Sequence, residues 1–230
     1  MMLEALRAEV LEANLELVRR GVVIYTFGNA SGIDPEEGLI AIKPSGVPYD
    51  KMTAADMVIA DLDGRVGEGR LRPSSDLATH VRIYRAFPSI GGVVHTHSRH
   101  ATAWAQAGRE IPCFGTTHAD YFHGPVPLTR HLTAAEIEAD YEGATGVAII
   151  EAMQGREPLA TPGVLVAGHA PFCWGKRAAD AAHTAVVLEY LAGMAFETLA
   201  INPAAKPISD AQLDKHYFRK HGPKATYGQA

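Results

Sequence analysis

The apolar runs of this 230-residue chain are short, and stretches of helical period stand between them. A short apolar run bounded by turn residues suits a buried strand, whereas apolar positions three and four apart suit a helix packed on it. Leu3, Leu6, Val10, Leu11, Leu17 and Val18 recur at helical spacing before a stop at Gly21. Strands are expected over 22–26, 38–42, 57–62, 93–96, 126–128 and 163–167. Helices are expected from Ser74-Ser75-Asp76 to about Tyr84, over 99–107, after Thr133, over 177–200 and over 209–220. Thr53 with Asp56, and Thr133 with Glu136, have the spacing of a capping box. The segments FGNASG (27–32) and GHAPFCWG (168–175) read as a loop and a turn, and Gly143 and Gly146 as interruptions of the helix after Thr133. Strands and helices interspersed in this way predict a mixed α/β layered fold, with no clear domain boundary.

Composition narrows the function classes. Hydrophobic residues make up 47% and charged residues 20%, enough apolar material for one large globular domain with a core. A formal net charge of −5 argues against a nucleic-acid binder, which would carry a basic footprint. Cys113 and Cys173 are too few for a disulfide framework, which fits a reducing compartment. The N-terminal segment lacks the apolar core of a signal peptide. The longest apolar stretch, 178–201, is broken by His183, Glu189 and Glu197. A soluble cytoplasmic protein with no membrane partner is the expectation.

The run GGVVHTHSRH (91–100) carries the chemistry. On a strand, residues two apart share a face, so His95 and His97 point the same way if the strand continues through them. Their Cα atoms would then lie roughly 6.6 Å apart, close enough for two imidazoles to converge on one ion. A solvent-exposed His-x-His at a strand end is the plainer alternative. His169 also follows an apolar run, in VLVAGHAPF, and is a candidate third ligand. Asp76 fits a carboxylate ligand or, more simply, a helix cap. Three histidines and a carboxylate suit zinc or a similar divalent ion.

Three loops hold small residues and donors: GNASG (28–32), KPSG (43–46) and the serines at 74–75. Glycines admit close backbone approach, hydroxyls and amides donate to anionic oxygens, and Lys43 adds a positive charge. Each alone is an ordinary turn; together beside a metal they suit a sugar phosphate. Walker A and dinucleotide fingerprints are absent from the sequence.

The segments FGNASG, IKPSGVPY, RPSSD, FPSIGGVVHTHSRHATAWAQAG, GTTHADYF, PGVLVAGHAPFCWGK and LDKHYFRKHGPKATYGQ together resemble the L-ribulose-5-phosphate 4-epimerase family of the class II aldolase/epimerase superfamily. The resemblance runs nearly end to end and is closer to these epimerases than to the fuculose phosphate aldolases. It implies a three-layer α/β/α fold with a central mixed, largely antiparallel sheet, in one domain over 1–230. It also implies a homotetramer whose active sites lie at subunit interfaces, with the tail 209–230 reaching a neighbour. By the same resemblance His95, His97, His169 and Asp76 hold one Zn2+ per subunit, with Mn2+ or Co2+ as substitutes. Asn29, Lys43, Ser45, Gly46, Ser74, Ser75, His216 and Arg219 contact a phosphorylated pentulose, and Asp120 and Tyr227 form an acid/base pair.

The implied reaction interconverts L-ribulose 5-phosphate and D-xylulose 5-phosphate. C4 is not next to the C2 carbonyl, so its inversion needs cleavage of the C3–C4 bond rather than simple deprotonation. A divalent ion would stabilise the enediolate charge as a Lewis acid. A lysine Schiff base is the competing device, and Lys43 alone stands in a site-like loop. Rival functions are an aldolase that releases the aldehyde and a non-catalytic assembly module.

Overall fold

The computed structural model describes residues 2–68, 70–222 and 225–226. Among them, strands β1 (Asn29–Asp34), β2 (Leu39–Ile42), β3 (Val58–Asp61), β4 (Val66–Glu68), β5 (Gly92–His95), β6 (Gly163–Leu165) and β7 (Pro171–Gly175) build one sheet, ordered β4-β3-β2-β1-β5-β7-β6. Every neighbouring pair of these strands is antiparallel. The expected mixed character is confined to one isolated parallel bridge, Leu128 to Leu165.

Alternation along each strand fills two separate cores, because successive side chains point to opposite faces. Val58, Ala60, Val93, Phe172 and Trp174 face one side, and Ile59, Val94 and Cys173 the other. Helices α1 (Glu4–Arg19), α3 (Arg99–Gln106) and α6 (Ala178–Ile201) cover the second side through Val10, Leu17, Trp104 and Leu188. Helices α2 (Leu77–Ala86) and α5 (Ala134–Ala152) cover the first through Leu77, Val81, Ile83 and Ile149. The result is the three-layer α/β/α arrangement. The short α4 (Thr116–Ala119) packs against α7 (Asp210–Lys220) of the same chain.

Five sequence expectations need correction. Residues 22–26 form no strand: Tyr25 adopts left-handed backbone (φ 52°) and is 84% exposed, so the run turns out of the sheet. The strand begins instead inside the expected loop, at Asn29, where α1 lies so close that a Cβ on Gly32 would meet Leu6 Cδ1 at 2.9 Å. Residues 126–128 make only isolated bridges, to Ile111 and Leu165. The expected turn at 168–175 is largely β7, its apolar side chains alternating between the two cores. In α5 the break falls at Asp140 (φ −166°, ψ 81°), not at the glycines. Both expected capping boxes are present, Thr53–Asp56 on a single 3-10 turn and Thr133–Glu136 on α5.

Helix α6 is long and apolar enough, by length and composition, to cross a membrane. Here it packs along β5, β7, α1 and α3. Its buried side holds Ala181, Ala185, Leu188 and Ala192, while Tyr190, Phe196 and Ile201 stay exposed.

Candidate metal centre and substrate cleft

Antiparallel order decides which chain ends meet. The start of β1, the end of β2, the end of β5 and the start of β7 all reach the same rim of the sheet. Asn29, Lys43, His95 and the residues around His169 are therefore neighbours although the sequence separates them widely. Gly28 makes the approach possible, with φ +71° and no side chain, since a Cβ would meet the His95 carbonyl oxygen at 2.7 Å.

Strand β5 stops at His95, so His97 lies just past its end rather than on it. The two imidazoles still converge, with Nε2 atoms 3.0 Å apart. His169 joins them, and one nitrogen from each of the three rings lies within 4.8 Å of the others. Two nitrogens held tetrahedrally at about 2.0–2.1 Å from one zinc ion lie roughly 3.3 Å apart, so the trio has the size of such a seat. His95 Nδ1 donates to the Pro171 carbonyl (3.0 Å), which turns the lone pair of Nε2 inward. His169 Nδ1 is buried and has no hydrogen-bond partner among the described residues. Burial lowers the pKa of all three rings, that of His95 to about 4 with His169 and His97 adding to the shift against Asp76. The rings are thus neutral near pH 7, the form that binds metal. The donor set fits a divalent ion.

Asp76 lines the same cleft but contributes no atom to the trio. It precedes α2, yet its side chain does not cap that helix; Oδ2 accepts from Asn29 Nδ2 at 2.6 Å. Burial opposes its charge, but the imidazoles of His95 and His80 and the Asn29 amide outweigh it and lower the pKa. Behind it, His80 is fully buried and neutral, its Nδ1 2.7 Å from Ser31 Oγ, which in turn meets Tyr84 Oη at 2.8 Å.

The expected phosphate loops lie side by side. An antiparallel bridge joins Pro44 to Pro73, Ser74 N donates to Lys43 O (2.9 Å) and Ser45 N to Arg72 O (2.9 Å). Lys43, Ser45, Gly46, Ser74 and Ser75 line one cleft of about 520 Å³ with Asn29, Asp76 and the three histidines. Burial lowers the pKa of the Lys43 ammonium, which lies 4.8 Å from the Tyr49 ring centroid.

Two residues that sequence reasoning passed over, Tyr141 and Glu142, also line this cleft. Their signal was the spacing Asp140-x-x-Gly143, which opens a helix with a cap. Burial raises the Tyr141 phenol above its ordinary pKa, and the carboxylates of Asp76 and Glu142 add to that.

Asp120, His216 and Arg219 do not line the cleft. They form a second cluster, where α4 ends against α7. Asp120 Oδ2 accepts from Arg219 Nη2 (2.8 Å), Oδ1 from His216 Nδ1 (3.2 Å), and Lys220 Nζ lies 3.3 Å from Oδ2. Burial opposes the charge, but Arg219, His216 and Lys220 together hold the carboxyl below the usual range. His216, Arg219 and Lys220 share one face of α7 by their spacing of three and four, a pattern that could have marked Lys220 in the sequence. Tyr227 lies outside the described residues.

Residues 8–196 match the family described as class II aldolase and adducin N-terminal domain. The chain is 56% identical over 227 residues to the L-ribulose-5-phosphate 4-epimerase UlaF of Salmonella paratyphi B, covering 99% of this chain and all of that protein. The UlaF protein of Salmonella typhi is similar at the same identity and coverage. Among solved structures, an L-fuculose 1-phosphate aldolase superposes with a TM-score of 0.81 at 24% identity, over 94% of this chain and 95% of that one. The L-fuculose-1-phosphate aldolase of Thermus thermophilus gives 0.69 at 22%, over 88% and 98%. At these identities the structural likeness speaks for the fold.

Proposed function

The chain belongs to the family of class II aldolase and adducin N-terminal domains, and from that premise we propose that it interconverts L-ribulose 5-phosphate and D-xylulose 5-phosphate. The carrying observation is the end-to-end 56% identity to a protein named as that epimerase. The cleft supports it, because a phosphate-sized set of donors and a metal-sized set of imidazoles open into one space.

In this reading His95, His97 and His169 hold a divalent ion, zinc with manganese or cobalt as substitutes, and Asp76 stands beside it. Such an ion would supply Lewis acidity that stabilises the negative charge of the enediolate. Lys43, Ser45, Gly46, Ser74 and Ser75 grip the phosphate, and Asn29 orients Asp76. Cleavage of C3–C4 leaves the enediolate of dihydroxyacetone and glycolaldehyde phosphate. The aldehyde, held by its phosphate, rotates and accepts the new bond on its other face, inverting C4.

One group must take the C4 hydroxyl proton and another return one. We assign these to Asp120 and Tyr227. At neutral pH a carboxylate starts ionised and a phenol protonated, so the pair begins as acceptor and donor. His216 and Arg219 hold Asp120, and the cations around it make it a weak base until a substrate or a neighbouring chain rearranges them.

Since this cluster stands apart from the cleft of its own chain, the reading includes a homotetramer in which the tail, 209–230, brings it to a neighbour's cleft. The exposed Tyr190, Phe196 and Ile201 on α6 support burial against another subunit rather than lipid. One domain over 1–230 and a cytoplasmic location complete the proposal. A coupled assay for D-xylulose 5-phosphate formed from L-ribulose 5-phosphate, with and without chelator, tests it. Release of free glycolaldehyde phosphate at the rate of turnover would make the protein an aldolase instead.

A further inference from the structure

Helix α5 is two helices joined end to end, and the joint is capped. Asp140 leaves helical geometry, and its Oδ1 accepts from Gly143 N at 3.0 Å, the bond of an N-cap residue to the third residue beyond it. Residue 143 must lack a side chain for this, because a Cβ would meet Asp140 Oδ2 at 1.9 Å. Two further bonds fix the new first turn: Thr145 Oγ1 donates to Tyr141 O (2.8 Å), and Thr79 Oγ1 of α2 donates to Glu142 O (2.7 Å). An uninterrupted helix would carry Tyr141 on a different bearing. The joint instead presents its ring to the cleft, with its centroid 5.9 Å from that of His169. The phenol hydroxyl makes no hydrogen bond among the described residues.

We infer that Tyr141 is a specificity-determining hydrogen-bond donor to the end of the sugar remote from the phosphate, the C1 hydroxymethyl group of the ketose. This rests on the proposed function and deepens it. The serine and lysine loops take the phosphate at C5. In the proposed reaction C2 and C3 would come beside the ion that the histidine trio would hold, and we place C1 on the His169 side of it. Tyr141 sits against His169, at the metal end of the cleft. A hydroxymethyl group needs a polar partner there, and the phenol hydroxyl, unbonded among the described residues, supplies one beside the Glu142 carboxylate.

The test compares D-xylulose 5-phosphate with 1-deoxy-D-xylulose 5-phosphate on zinc-loaded wild type and Tyr141→Phe, by calorimetric binding and by turnover. Phenylalanine keeps the ring against His169, and zinc content should stay at the wild-type level. Wild type should bind the deoxy compound about tenfold more weakly than the parent, as loss of one hydrogen bond requires. Tyr141→Phe should bind the parent about tenfold more weakly than wild type does and then fail to tell the two ligands apart. A variant that still discriminates as wild type does, or a wild type that does not discriminate, overturns the inference. Wild type that binds both ligands but turns over neither defeats the proposed reaction, while the binding comparison still decides the role of Tyr141.

Discussion

Asn29 Nδ2 donates to Asp76 Oδ2 across 2.6 Å, joining the first residue of β1 to the residue that precedes α2. Asn29 is also the partner of His95 across the sheet. One residue therefore ties a half-buried carboxylate, a helix start and an imidazole of the trio into a single unit. Asn29→Ala would leave Asp76 without that donor. Zinc affinity should fall about tenfold, since partners that orient a metal site typically matter at that scale. Competition with a chromophoric chelator measures this, and an unaltered affinity would show that Asp76 needs no such support.

Treatment with a strong chelator should abolish epimerisation, and added zinc should restore it. His169→Ala should hold well under one ion per chain by elemental analysis, because two imidazoles alone make a weak seat. Full turnover by protein shown to be metal-free would remove the ion from the chemistry.

Asp120 makes stability depend on pH. Its folded pKa lies below the unfolded value of about 3.9, so it stabilises fully above that value and less as pH falls through the folded one. Asp120→Asn should cost about 2 kcal/mol at pH 7, the scale of hydrogen bonds to a charged group. The gap between variant and wild type should close below about pH 4. Urea melts at pH 7 and pH 3 read both values; a gap of equal size at the two would mean that the charge is not its source.

Tyr190→Glu combined with Phe196→Glu should split the assembly into smaller species by sedimentation, because both are large apolar side chains that stand exposed, at 65% and 61%, on the outer face of α6. The separated chains should still take up zinc, since all three imidazoles come from one chain. An unchanged sedimenting mass would place the subunit contact elsewhere.

The layered fold and most helices were legible because apolar period reports burial. Thr133–Glu136 and Ser209 open their helices as their spacing indicates. The errors share a cause: a run's apolar character does not say what packs over it. Val22 to Thr26 looks like a strand, yet Tyr25 turns it out to solvent, whereas the small residues of β1 looked like a loop because α1 leaves no room for larger ones. His95 and His97 were visible from their spacing. Their meeting with His169 came from the resemblance and not from spacing, since it depends on β5 pairing with β7, His95 opposite Phe172. Tyr141 stayed hidden for a local reason, a glycine read as a helix breaker that instead makes room for a cap.

All the chemistry-bearing strand ends meet at one rim of the sheet, and the opposite rim carries the hairpin turns at 35–38 and 62–65. The turn at 35–38 lines no part of the cleft, whereas the turn at 62–65 shares a groove with Ser74 and Ser75. The turn at 35–38 is therefore the place where a fluorophore or a surface tether can be attached so that it follows the protein's motions without disturbing bond making.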